Sequence, residues 1–191
     1  MIKLKIGFVL YDEVQLSKKH TQSLLIPAFV DNSNDIAWLH EIDNNLSSLA
    51  GYFARLNTIT AEQGLSESKA SRYYALALNI EDPANQQIIE FPWYNNFSDM
   101  QPFFDWLTSS DERYFDTDQS WQFLAQRKGD LIILTESFAE PETEGFITIT
   151  DDATVVTVDQ QTIKTAIKQT IRQFKQVIRQ LELQLGNNYW L

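Results

Sequence analysis

The 191-residue chain contains no cysteine, which excludes disulfides, thiolate metal sites and cysteine nucleophiles together. Glycine and proline are scarce, at 6 and 5 residues, and this scarcity argues against a disordered or fibrous protein. The longest apolar run, residues 24–30, is interrupted by Pro27 and falls far short of the ~20 residues that span a bilayer. We therefore expect a soluble, cytoplasmic protein with an ordinary hydrophobic core.

The residue types that carry out most enzyme chemistry are also sparse. The two histidines, His20 and His40, lie in no ligand-spaced cluster, and the chain has no glycine-rich phosphate loop and no G-x-S-x-G nucleophile motif. The D-x-D sequence of Asp116 and Asp118 lacks the remaining oxygen ligands of a calcium loop. We expect a non-enzymatic protein with no catalytic residues, no metal and no cofactor.

Positive charge is in deficit, and the deficit is concentrated in one part of the chain. The net charge is −11, while residues 81–159 alone carry 17 acids and three bases. Residues 160–191 carry five bases and one acid. A negative field of this size disfavours nucleic acid and anionic membranes as partners, because both are bound through Lys and Arg. It speeds association with a basic protein.

Apolar spacing in the first half of the chain predicts strands and one helix. Every second residue from Ile2 to Leu10 is apolar, which is the period of a half-buried strand. An apolar stripe over residues 44–63 predicts a helix with Asp43 as its N-cap, ending at Gly64. Further strands are predicted at residues 23–30, 35–42, 72–80 and 86–94.

The second half adds hairpins and two helices. A short helix is predicted from the N-cap Ser98 to Ser109. Apolar residues from Ile163 to Leu185 recur at spacings of four and three, which predicts a long amphipathic helix. Hairpins are predicted at 121–128 with 131–137 and at 145–150 with 154–158. Together these elements predict a single α+β domain over 1–191, with possible lobes at 1–80 and 81–191. Its sheet is largely antiparallel, and the C-terminal helix packs on it.

Residues 91–121 combine ten aromatic side chains and six carboxylates with a single base, Arg113. Helical or strand position predicts a core role for four of these aromatics and for the nearby Phe123; the four are Phe103, Phe104, Trp106 and Trp121. Others lie at predicted strand ends and loops, where we expect exposure: Trp93, Tyr94, Phe97, Tyr114 and Phe115. Exposed aromatics among acids are typical of protein-binding surfaces. The predicted partner-binding residues are Trp93, Tyr94, Asp99, Asp105, Asp111, Glu112, Tyr114, Asp116 and Asp118.

Three segments of the second half carry a family resemblance: WQFLAQRKGDLIILTES, EGFITIT and TVVTVDQQTIKTAIKQTIRQF. Through them, residues 117–182 resemble small acidic bacterial immunity proteins associated with polymorphic toxins and contact-dependent growth inhibition. The resemblance implies a cytoplasmic, non-enzymatic protein that binds a cognate toxin and neutralises it by stoichiometric inhibition. The excess of acids indicates a basic toxin, of which a nuclease is one example.

Two other functions remain open from the sequence. Acidic and aromatic loops are also typical of carbohydrate-binding proteins, and of carbohydrate hydrolases in which Asp116 or Asp118 would supply a carboxyl group. The helix predicted over 160–185 is also compatible with a non-catalytic scaffold that dimerises through it. The sequence leaves the oligomeric state open.

Overall fold

The structure is a computed structural model, and it describes residues 2–17, 20–30, 35–139 and 150–191. It confirms the predicted α+β class, with antiparallel sheets and a long C-terminal helix packed on a sheet. The strands are β1 (Lys3–Val9), β2 (Glu13–Ser17), β3 (His20–Ser23), β4 (Ile36–Trp38), β5 (Leu76–Asp82), β6 (Gln87–Glu90), β7 (Arg113–Asp118), β8 (Trp121–Lys128), β9 (Leu131–Phe138) and β10 (Thr154–Asp159). The helices are α1 (Leu39–Ile42), α2 (Leu46–Glu62), α3 (Glu67–Ala70), α4 (Phe97–Thr108) and α5 (Gln160–Leu185), with a 3-10 turn at Ser71–Tyr74.

The strands form two four-stranded sheets and a separate hairpin. One sheet has the strand order β4-β1-β5-β6 and the other has the order β10-β9-β8-β7, while β2 and β3 pair with each other. The chain divides into two compact units. The first unit comprises Met1–Lys5, Leu78–Pro92 and Met100–Thr170. The second unit comprises Ile6–Ala77, Trp93–Asp99 and Ile171–Leu191.

The core of the first unit is an aromatic cluster on the sheet β10-β9-β8-β7. Trp121 and Phe123 are buried on the same face of β8, as the two-residue period predicts. The Phe123 ring lies 4.6 Å from Phe91 and 5.3 Å from Phe103, centroid to centroid. Each such buried ring stabilises the fold by about 1.5–3 kcal/mol relative to an exposed one. Phe103, Phe104 and Trp106 are also buried, so the predicted core role of all five aromatics is confirmed.

The core of the second unit joins strand β1 to helix α5. Phe8 of β1 stacks on Phe174 of α5 with ring centroids 6.0 Å apart, and Trp190 meets Phe8 edge-on at 5.3 Å. Trp190 also contacts Phe53 of α2 at 4.8 Å. The buried residues of α5 in this unit follow the predicted helical stripe: Phe174, Val177, Ile178 and Leu181.

Helix α4 confirms the predicted central helix but not its N-cap. Asn96, and not Ser98, precedes the first helical residue, and its Oδ1 accepts the backbone N–H of Asp99 at 3.2 Å. The Asp99 carboxylate in turn accepts the backbone N–H of Asn96 at 3.3 Å. This reciprocal pair satisfies two N–H groups that the first helical turn leaves without a partner. It explains why the helix begins where it does.

Several predicted boundaries in the first half of the chain are wrong. The segment 24–30 is not a strand, because Pro27 lacks an N–H and a turn follows in which Val30 N donates to Pro27 O at 3.0 Å. The predicted strand at 35–42 stops at Trp38. The backbone N–H of Trp38 donates to the Glu41 carboxylate at 3.0 Å, and this contact starts the helical turn α1.

Other corrections concern the ends of elements. Helix α2 begins after Asn45 instead of after Asp43, although it ends as predicted before Gly64, which has a positive φ of 61°. The strand predicted at 72–80 starts only at Leu76, after the 3-10 turn, and that predicted at 86–94 ends before Pro92. The hairpin of β8 and β9 about Gly129 is confirmed. Residues 145–149 of the second predicted hairpin lie outside the described residues, and β10 pairs with β9.

Candidate protein-binding site

Strand β7 carries three of the predicted partner-binding residues, Tyr114, Asp116 and Asp118, in a region that the sequence predicts as strand ends and loops. Because strand side chains alternate, Tyr114, Asp116 and Asp118 share one face of β7. They lie opposite Ala125, Phe123 and Trp121 of β8, respectively. The signal that predicts this strand is weak, because the two aromatics of RYFDTD are adjacent and the sequence shows no apolar–polar alternation.

Tyr114 and Asp116 form a half-buried pair on this face. The Tyr114 hydroxyl donates to the Asp116 carboxylate at 3.1 Å, and the Tyr114 ring packs 5.5 Å from Phe103. Burial raises the pKa of Asp116, although hydrogen bonds from Tyr114 and from the Thr117 backbone oppose the rise. Burial likewise raises the pKa of the Tyr114 hydroxyl. Asp116 is therefore an internally hydrogen-bonded acid and not a free surface charge.

Three other acids of the first unit are exposed near β7: Asp111, Glu112 and Asp118. The Asp111 carboxylate accepts the hydroxyl of Ser109 at 3.1 Å, a local bond that leaves its charge in place. Within the described part of the chain, Lys5 and Glu81 form the only side-chain ion pair. The charges of Asp111, Glu112 and Asp118 are thus not neutralised by a base within the described residues.

Arg127 holds the segment that carries Asp111 and Glu112 in place. Its Nε donates to the Asp111 carbonyl at 2.9 Å, and its backbone N–H donates to the Glu112 carbonyl at 2.9 Å. Its Nη2 donates to the carbonyls of Trp106 and Ser109 at the end of α4, at 2.6 and 3.2 Å. A cation at a helix C-terminus complements the helix dipole. Sequence reasoning did not identify this role, because Arg127 reaches residues 16–21 positions away.

The remaining predicted acid of the first unit, Asp105, is exposed on α4. Its carboxylate accepts the side-chain amide of Gln101 one turn earlier, at 2.6 Å. This bond lies on the helix surface and leaves the charge of Asp105 facing solvent. Asp105 therefore contributes to the negative field of this unit without contributing to its core.

Three of the nine predicted residues belong to the second unit: Trp93, Tyr94 and Asp99. Trp93 is 57% exposed and meets the Tyr11 ring edge-on at 6.1 Å. Tyr94 is half-buried, and its backbone exchanges two hydrogen bonds with Leu76. Asp99 caps helix α4, as described above. Phe97, which we expected to be exposed, is buried in a stack on Phe174 at 5.0 Å.

A second carboxyl group, Glu136, is buried in the first unit and was not identified from the sequence. It is 4% exposed and accepts the indole N–H of Trp121 at 2.9 Å and the backbone N–H of Glu90 at 3.1 Å. Burial raises its pKa. Glu136 and Asp116 lie in one cross-strand row on either side of the fully buried Phe123. Phe123 therefore separates the two carboxyl-bearing residues within this row.

The described residues hold no group of three or more His, Cys, Asp or Glu side chains arranged for a metal ion. Among the helices in the described part of the chain, none is long and apolar enough to cross a bilayer. Comparisons with protein-family models, curated proteins and solved structures find no match to this chain. The candidate site therefore stands on its own residues and geometry.

Proposed function

We propose that the protein is a cytoplasmic, non-enzymatic immunity protein that binds a bacterial toxin domain and neutralises it by stoichiometric inhibition. One observation supports this most strongly. Asp111, Glu112 and Asp118 are exposed, lack an ion-pair partner among the described residues, and lie beside the half-buried rings of Tyr114 and Phe115. The partner that fits these carboxylates is a basic protein, such as a nuclease whose active surface binds phosphate.

Charge and aromatic area have different roles in this proposal. Unpaired carboxylates attract a basic partner from a distance and raise the association rate, because the field acts before contact is made. The rings of Tyr114 and Phe115 add buried area once the complex has formed, and this slows dissociation. An inhibitor of this kind requires no catalytic residue. It acts by covering the surface that the toxin uses for its substrate.

The experiment compares two triple variants of equal charge change. The test variant replaces Asp111, Glu112 and Asp118 with Ala. The control variant replaces the exposed acids Asp43, Glu62 and Glu182 of the second unit. The candidate toxins are proteins encoded by genes that adjoin this one, and association with each is followed by stopped-flow fluorescence at low and at physiological salt.

We expect the test variant to associate roughly 10-fold more slowly at low salt, with a smaller salt dependence, and the control variant to change the rate much less. Equal rates for both triple variants would show that net charge, and not this cluster, drives association. Unchanged activity of the toxin in the presence of an equimolar amount of the wild-type protein would reject the proposed function itself.

A glycan-binding role is the alternative, and it is favoured by a different residue. Trp93 is 57% exposed and is supported edge-on by Tyr11, an arrangement that offers a ring face to a sugar. Saturable binding of a glycan that Trp93→Ala abolishes and the triple acid variant leaves intact would support this alternative over toxin binding.

A further inference from the structure

Among the described strands, β7 lies at the edge of its sheet. The strand order β10-β9-β8-β7 gives it a hydrogen-bonded neighbour on one side only among the described strands. Edge strands present unpaired N–H and C=O groups and can pair with a strand of another protein. Which backbone groups of β7 point outward follows from its register.

The register assigns the outward positions to the odd-numbered residues. The Arg127 N–H donates to the Glu112 carbonyl, which makes Glu112 and Arg127 a hydrogen-bonded pair of the antiparallel ladder. Because such pairs alternate with non-hydrogen-bonded pairs, the odd-numbered residues of β7 turn their backbone groups away from β8. These residues are Arg113, Phe115 and Thr117.

Only part of this edge is open to a partner. The Thr117 N–H already donates to the Asp116 carboxylate at 2.9 Å. This bond agrees with the outward direction of the Thr117 N–H and makes that group unavailable to a partner. For the N–H groups of Arg113 and Phe115, the described residues show no such side-chain acceptor. The open edge is therefore short and centred on Arg113–Phe115.

The two faces of β7 differ in chemistry. Glu112, which precedes the strand, continues the acidic face of Asp116 and Asp118. On the other face, Phe115 lies beside Leu124 of β8 in a row that continues through Thr135 of β9 and Val155 of β10. Val155 is 41% exposed, so this row reaches the surface on the face opposite the aromatic core.

We propose that the toxin docks by adding a strand to the open edge of β7, and that this strand alternates basic and apolar residues. This inference rests on the proposed function. The basic side chains of the added strand lie beside the exposed acids Glu112 and Asp118, and its apolar side chains extend the row that begins at Phe115. Charge complementarity favours a strand with basic residues as the partner of this edge. A second copy of β7 would bring the same acids against one another, which is unfavourable.

The test uses a proline and alanine pair at one position. Arg113→Pro removes the outward N–H together with the side chain, while Arg113→Ala removes the side chain alone. Edge strands tolerate proline at positions whose N–H faces outward. The probe is a labelled peptide of four lysines alternating with three valines, and its binding is measured by fluorescence anisotropy at low salt. A shuffled peptide of the same composition separates strand pairing from simple charge attraction.

We expect the alternating peptide to bind Arg113→Pro about 10-fold more weakly than Arg113→Ala, and to bind the wild-type protein more tightly than the shuffled peptide does. A peptide whose outward amides are N-methylated tests the same hydrogen bonds without altering the protein, and we expect it to lose affinity too. Equal affinities for the proline and alanine variants and for the methylated and unmethylated peptides would overturn the proposal.

The outcomes also separate this inference from the proposed function. If the triple acid variant weakens peptide binding while the backbone changes have no effect, the added strand is rejected and the acidic docking surface stands. If toxin neutralisation fails, the proposed function is rejected and the inference falls with it. A concentration-dependent dimer of the wild-type protein that Arg113→Pro abolishes would identify a second copy as the occupant and overturn the proposal.

Discussion

Arg127 offers the sharpest test of how the acidic segment is held. Its guanidinium donates four hydrogen bonds, to Asp111 O, Gln160 Oε1, Trp106 O and Ser109 O, and it lies 4.5 Å from the Trp106 ring centre. A hydrogen bond to a charged group contributes about 1.5–3 kcal/mol, but bonds that share one group are not additive. Because the Arg127 side chain is only half-buried, screening by solvent further lowers the summed contribution of these bonds to the free energy of unfolding.

We therefore expect Arg127→Ala to lower the free energy of unfolding by about 3 kcal/mol and Arg127→Lys by about 2 kcal/mol. Lysine keeps the charge but not the planar fork that reaches several carbonyls at once. For a chain of this length, about 3 kcal/mol corresponds to a fall of roughly 6–12 °C in the melting temperature. Urea unfolding followed by tryptophan fluorescence measures the free energy of unfolding, and calorimetry measures the melting temperature.

The matched control is Arg113→Ala, because Arg113 is exposed and has no side-chain hydrogen bond among the described residues. We expect that variant to change stability by less than about 0.5 kcal/mol. If Arg127→Lys is as stable as the wild-type protein, the fork geometry has no role. If Arg127→Ala costs no more than Arg113→Ala, the bonds to α4 and to the acidic segment do not stabilise the fold.

The remaining predictions concern a close approach and a buried acid. A Cβ at Gly7 would lie 2.5 Å from Ile36 Cγ2 and 2.8 Å from Trp38 Cε3, so we expect Gly7→Ala to destabilise the protein by about 2 kcal/mol in urea unfolding. Gly51→Ala, in helix α2 with open space around it, should stabilise the protein by about 0.5–1 kcal/mol. An equal loss of stability in both variants would show that the close contacts around Gly7 are not the cause. Because burial raises the pKa of Glu136, the folded state binds its proton more readily than the unfolded state. The stability of the wild-type protein relative to Glu136→Gln should therefore rise as the pH falls from neutral towards 4.5, the ordinary pKa of a glutamate. A difference independent of pH would refute this reasoning.

The elements predicted well are those whose signal is local. The hairpin about Gly129 needs a residue with positive φ between two apolar runs, and the long C-terminal helix repeats its apolar stripe over more than five turns. The sequence predicts helix α4 but places its N-cap at Ser98, because the reciprocal bonds of Asn96 and Asp99 depend on side-chain geometry.

Strand β7 shows where local patterns fail. Its six residues include two aspartates, which are depleted in strands, and they show no apolar–polar alternation. The strand forms because all six residues pair with β8 across a short turn at Gln119 and Ser120. The partly buried state of Asp116 follows from that pairing. The predicted exposure of Phe97 failed in the same way, since a contact with Phe174, far along the chain, buries it.

Composition, net charge and the periods of the long elements are properties of the chain itself, and they led to the α+β class, the acidic character and the absence of familiar enzyme motifs in the sequence. Exposure and pairing depend on residues that are distant in sequence. Only the tertiary structure separates the exposed acids Asp111, Glu112 and Asp118 from the half-buried Asp116 and the buried Glu136. The physical reason is that the strands and rings that fold against a carboxylate set its environment. The residues next to it in the sequence do not determine which strands and rings these are.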